Sequence, residues 1–151
     1  MKSCYFIGHR EADERLLPLL GKAIEKLITE DRVAYFYVGA YGGVDRIVTT
    51  ALKAAKKKYP NIVLMRVLPY HPADRTVKIP ESFDGTYYPD GIEKVPKRYA
   101  IVRTNRVMID AADWLITYVR HGASNSCRLL EYAERRQEKG LIQIENLAEK
   151  M

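Results

Sequence analysis

Three short segments of this chain carry residues able to hold an anion. Gly8-His9-Arg10 joins a glycine, which lets backbone approach a ligand closely, to a guanidinium that forks onto phosphate or carboxylate. Gly39-Ala40-Tyr41-Gly42-Gly43, followed by Val44-Asp45, offers several backbone N–H groups at a helix start, an arrangement that attracts negative charge. Gly122-Ala123-Ser124-Asn125-Ser126 adds small hydroxyl and amide donors in a similar setting. Each segment also has an ordinary explanation. Gly8 can simply turn the chain while Arg10 pairs with a surface acid; Asp45 can reach a ribose hydroxyl or merely favour the first turn of its helix; Ser124 serves as an N-cap with or without a ligand. The middle segment is neither a Walker loop, since no Gly-Lys-Ser/Thr follows, nor a GxGxxG fingerprint.

The elements around these segments give them joint weight. Short apolar runs alternate with stretches of helical period, the pattern of βαβ units around a mainly parallel sheet. Strands are expected at Ser3–Gly8, Val33–Val38, Ile62–Leu68, Trp114–Val119 and Leu141–Ile144. Asp13 is placed to cap a helix bearing Leu16, Leu20, Ala23, Leu27 and Ile28, and Val44, Ile47, Val48, Ala51, Leu52 and Ala55 form a second helical stripe. Helical period returns from about Lys97 to Ala112, and again up to about Lys139, with Gly140 as a stop. Between them, residues 69–96 lose all periodicity and hold five prolines, which predicts an irregular, lid-like loop.

The expected fold is therefore α/β: a Rossmann-like three-layer sandwich in one domain, with a mainly parallel sheet of about five strands and helices on both faces. In such a sheet ligands sit outside the carboxyl ends of the strands, so Gly8, Gly42 and Gly122 are expected to converge on one edge. The helix before the fourth strand contributes too. Asn105 falls in the arc of Ile101, Met108, Ile109 and Ala112, which should face the sheet, and a buried asparagine needs partners from a neighbouring loop or a ligand. Arg103 lies near the turn facing the ligand edge, although Arg103, Arg106, Asp110 and Asp113 also fit a solvated face.

Composition narrows the partners. A formal charge of +6 over 151 residues favours anions, but the basic residues are scattered apart from Lys56, Lys57 and Lys58 at a predicted helix end. A small phosphate-bearing ligand is the expected partner; nucleic acid is possible but not favoured, and a homo-oligomer is left open. Cys4 and Cys127 are far apart and belong to no CxxC pair, which argues against a disulfide framework or a metal site. No signal-peptide pattern opens the sequence and no run of ~20 apolar residues crosses a bilayer, so a cytoplasmic protein without membrane association is expected.

In order along the chain, three segments are similar to motifs of one superfamily. Cys4-Tyr5-Phe6-Ile7-Gly8-His9-Arg10 resembles the CxFxGHR opening of the YpsA-like branch of the SLOG superfamily, which also includes the DNA-processing protein DprA and the LOG phosphoribohydrolases. Gly39 to Asp45 resembles its Gly-rich loop with a following Gly-x-Asp, and Asn105 to Ile116 its "RN..M.d.sD.lI" segment. The resemblance implies a Rossmann-like fold binding a nucleotide or nucleotide-derived ligand, without a fixed cofactor, through the loops named above.

It also implies an enzyme alternative, cleavage of the N-glycosidic bond of a nucleoside monophosphate. LOG enzymes use an arginine and a pair of glutamates; the matching positions here hold Thr104, beside Arg103, and Cys127 and Arg128. Glycosidic cleavage needs a carboxylate, so a binding module or sensor is expected first, with Asp45 or Glu131 as substitutes if catalysis occurs. His9 and His121 stand near candidate loops without an evident carboxylate to orient them. DprA-like binding of single-stranded DNA is a weaker alternative.

Overall fold

Parallel strands buried on both faces must present apolar side chains to each side in turn, and the central strand does so. In the computed structural model, which describes residues 1–9, 13–120 and 124–150, strand β1 spans Lys2–Gly8. Its Cys4 and Phe6 enter one hydrophobic cluster and its Tyr5 and Ile7 another. Around it lie β2 (Val33–Val38), β3 (Val63–Val67), β4 (Gly85–Tyr87), β5 (Trp114–Tyr118) and β6 (Gln143–Asn146). All pairings are parallel, in the order β4-β3-β2-β1-β5-β6.

Helices α1 (Leu16–Thr29) and α2 (Gly43–Lys58) cover the face that carries Cys4 and Phe6. Helices α3 (Ala100–Ala111) and α4 (Asn125–Glu138) cover the other, with Met108, Ile109, Leu129 and Ala133 against Tyr5, Ile7 and Leu115. The result is the expected Rossmann-like three-layer sandwich. The chain winds outward from β1 to β4 and then restarts at β5 on the opposite side, so a crevice opens between the carboxyl ends of β1 and β5.

Several boundaries differ from the sequence expectation, each for a local reason. The sheet has six strands rather than about five, because the segment 69–96 contributes β4. That strand is pinned by the Leu68 N–H on the Tyr87 carbonyl (2.8 Å) and by Asp84, which accepts from the Leu64 N–H (2.8 Å) and pairs with Lys56 (3.1 Å). Two 3-10 turns, Ile92–Lys94 and Lys97–Tyr99, follow, and α3 begins only at Ala100.

The last strand lies at Gln143–Asn146 rather than Leu141–Ile144, because Gly140 and Leu141 finish α4. Gly140 takes φ +74°, and the two N–H groups donate to Gln137 (2.9 Å) and Arg136 (3.0 Å). Asp13 does not cap α1, whose N-cap position is Arg15 without a side-chain cap; it accepts from the Arg15 N–H at 2.9 Å in the turn before the helix. The buried side of α3 is Ala100, Thr104, Met108 and Ile109, whereas Ile101 is exposed. The lysines ending α2 are partly paired, Lys56 with Asp84 and Lys58 with Glu25 (2.5 Å). Cys4 and Cys127 are free thiols, and burial pushes the Cys4 thiol far up, so it behaves as a neutral core residue. No helix among the described residues is long and apolar enough to cross a membrane.

Candidate functional site

A cleft of about 750 Å³ opens at the carboxyl ends of β1, β2 and β5. Gly8 and His9 line it from the end of β1, and Gly39, Ala40, Tyr41, Gly42 and Asp45 from the β2–α2 connection. Ser124, Asn125 and Ser126 line it from the start of α4, and Asn105 from α3. Gly43 is the first residue of α2. Arg10, His121, Gly122 and Ala123 lie outside the described residues. Arg103 and Glu131 are exposed and do not line the cleft; Arg98 and Arg120, which the sequence reading passed over, do.

Packing accounts for Gly8. A Cβ on Gly8 would sit 2.6 Å from Cγ2 of Val44, so the end of β1 meets the first turn of α2 with no room for a side chain. A Cβ on Gly39 or Gly42 would stand 3.0 or 2.9 Å from Oδ2 of Asp45. Asp45 folds back over this loop and accepts a hydrogen bond from the Gly42 N–H at 2.9 Å, so its capping role is present. Burial pushes its carboxyl up to about 6, against the opposing pull of the Gly42 N–H and of the Arg66 charge.

Arg66 holds the same loop from its other side. It is 7% exposed, donates from Nη1 to the Gly39 carbonyl at 2.6 Å, and lies over the Phe83 ring with Cζ 4.9 Å from the centroid. Burial lowers its pKa, and Asp45 opposes that shift. The signal for it was present in the sequence as a lone cation inside the apolar run Ile62 to Leu68.

Side chains also tie the strand ends to one another. The His9 N–H donates to the Tyr118 carbonyl (3.1 Å), and His9 Nε2 accepts from the Arg120 N–H (2.6 Å). The two contacts join the end of β1 to the end of β5. Ser126 Oγ donates to the Gly8 carbonyl (3.0 Å), and Ser124 Oγ accepts from the Cys127 N–H (3.2 Å) as an N-cap.

Asn105 finds its partner in Tyr5, whose hydroxyl donates to Oδ1 at 2.5 Å. Burial and, secondarily, Asp45 push the Tyr5 pKa up, keeping this hydroxyl a donor. The Nδ2 hydrogens of Asn105 have no partner among the described residues. Next to it Thr104 is buried, its hydroxyl likewise without one.

Chemically the cleft combines two kinds of lining. The amino termini of α2, 16 residues long, and α4, 14 residues long, meet there, and each favours a negative charge. Arg98 and Arg120 add cations, and Asp45 is the single lining carboxylate among the described residues. Val67, Pro69, Ile101, Val102 and Leu129 add apolar lining, as does the exposed Tyr41. Neither a scan against protein-family models nor a search of curated proteins finds a match to this chain.

Proposed function

We propose that this chain binds a nucleotide or nucleotide-derived ligand in this cleft and acts as a sensor or binding module. The observation that carries the reading is the gathering of Gly8, Gly39, Gly42 and Ser124 to Ser126 around one cavity at two helix amino termini. Backbone N–H groups there suit a phosphate, and the apolar lining from Ile101 and Val102 suits the flat face of a base. The resemblance to the YpsA-like branch of the SLOG superfamily supports the same reading. Affinity that is equal in ground and transition states does not raise the rate of a chemical step. Thr104, Cys127 and Arg128 stand where a LOG enzyme keeps its arginine and carboxylates, and Glu131 is off the cleft.

One observation favours the N-glycosidase as second reading: the Asp45 carboxyl, near 6, can exchange a proton close to neutral pH. Titrating the protein with a panel of nucleoside monophosphates by calorimetry, while following free base by chromatography, separates the two. Binding without base release is expected. Rapid base release abolished by Asp45→Asn makes the protein a glycosidase, and absence of binding across the panel sinks both readings.

A further inference from the structure

The loop from Gly39 to Gly42 has a second side. Behind it lies another cleft, of about 500 Å³, which shares Ala40, Tyr41, Gly42 and Asp45 with the first but is otherwise lined by different elements. Arg46, Thr49, Thr50 and Lys53 come from α2 at i, i+3, i+4 and i+7, one stripe of that helix adjoining the apolar stripe that packs on the sheet. Arg66 comes from β3 and Lys78 from the segment 69–96, so cations reach this space from three parts of the fold.

A solvated helix face ordinarily interleaves both signs of charge at i±4 spacing. This stripe does not: residues four away from Arg46 are Gly42 and Thr50, and those four away from Lys53 are Thr49 and Lys57. Arg46, Lys53 and Lys78 form no ion pair among the described residues. Asp45 is the only carboxylate in the lining among the described residues, and the Gly42 N–H already occupies its Oδ2. Arg66 is more than nine-tenths buried, and its Nε has no hydrogen-bond partner among the described residues. The hydroxyls of Thr49 and Thr50 donate to the carbonyls of Asp45 (2.6 Å) and Arg46 (3.2 Å), which leaves the cations as the groups that face a ligand.

We infer that this second cleft is a binding site for a compact phosphate oxyanion of pyrophosphate type, separated from the nucleotide cleft by the Gly39–Gly42 loop. Converging cations around a small cavity suit a compact, multiply charged ligand, whereas a nucleic-acid backbone calls for an extended basic stripe. Desolvation of Arg66 strengthens its attraction for such a ligand, and the ligand in turn relieves repulsion among the four cations. Because the loop forms a wall of both clefts, the anion is either free or the terminal part of a nucleotide lying in the first cleft.

Amide chemical shifts of the intact chain, followed by NMR during titration, test this directly. Inorganic pyrophosphate is expected to give saturating shifts at Thr49, Lys53 and Lys78, to raise the melting temperature, and to bind at least tenfold more weakly to Lys53→Ala/Lys78→Ala. Both side chains are solvent-facing cations, so that variant should fold. Saturating shifts absent from these amides, or undiminished in the double variant, overturn the site. A nucleoside triphosphate in a second titration identifies the source: concerted shifts at Gly8, Ser126 and Lys53 mean one ligand spanning the loop, and shifts at Lys53 that pyrophosphate alone reproduces mean a separate anion. A nucleoside monophosphate in a third titration reports on Gly8 and Ser126 only. Its failure would count against the nucleotide reading and leave the pyrophosphate result standing.

Discussion

The Tyr5 hydroxyl, on the central strand, donates to Oδ1 of Asn105 across 100 residues of sequence at 2.5 Å, and so fixes which end of that carboxamide is left for the cleft. Tyr5→Phe is expected to destabilise the fold by about 1 kcal/mol, the usual net worth of a hydrogen bond whose partner retains some access to water. Asn105→Asp keeps an acceptor for Tyr5 but replaces the Nδ2 donors with negative charge, so nucleoside monophosphates should bind more than tenfold more weakly. Urea unfolding and calorimetry measure the two effects. Undiminished affinity in Asn105→Asp would remove this residue from the site.

Gly8 and Gly21 make a contrasting pair. An alanine methyl at Gly8 would stand 2.6 Å from Val44 Cγ2, whereas one at Gly21, inside α1, meets nothing within 4 Å. Gly8→Ala should cost ~1–3 kcal/mol through overpacking, and Gly21→Ala should stabilise by ~0.5–1 kcal/mol through helix propensity. Val44→Ala in the Gly8→Ala background should recover part of the loss. Thermal melts of the four proteins decide it, and equal signs for the two glycine variants would contradict the packing described.

Asp45 supplies a pH dependence of unusual sign. Its carboxyl sits at about 6 when folded, above the ordinary 3.8. The folded state thus binds the proton more tightly than the unfolded chain. That contribution to stability is fully present below about pH 4 and is lost as pH rises through 6. About two units at ~1.4 kcal/mol each put the penalty at neutral pH at up to roughly 3 kcal/mol. Asp45→Asn should remove it, so the stability of wild type relative to the variant falls from pH 4 to 7 and then levels off. Asp84, held low mainly by the Leu64 N–H, acts in the opposite sense but is common to both proteins. Parallel profiles in chemical denaturation would place no raised ionisation at Asp45.

The layers of this fold were legible because buried parallel strands announce themselves as apolar runs and the covering helices as stripes. Val33–Val38 is the same strand in sequence and structure. β4 was not legible: Gly85-Thr86-Tyr87 is too short to show a period, and only the bonds made by Asp84 and Tyr87 turn it into a strand. The glycine and serine loops of the cleft were readable as local chemistry. Arg98 and Arg120 were not, since one reaches the cleft from a single 3-10 turn and the other from irregular chain after β5, where spacing says little about direction. Arg103 is exposed, in keeping with the solvated-face alternative, but so is Ile101, which was expected to face the sheet. A helical wheel gives relative angles, and the absolute rotation of α3 and α4 is set by which residues the sheet buries.

The strand order has a consequence for how the chain resists aggregation. Val33–Val38, rich in aromatic and β-branched residues, is the sort of segment that templates fibrils when its backbone is free. Here it is paired on both sides, as is β1, while the edges of the sheet are given to β4, of three residues, and β6, of four. An edge so short offers few unpaired N–H and C=O groups to a second chain. The hazardous strands are exposed only when the centre of the sheet itself opens, so the tendency of this protein to form intermolecular β-structure should follow its global unfolding rather than fraying at its margins.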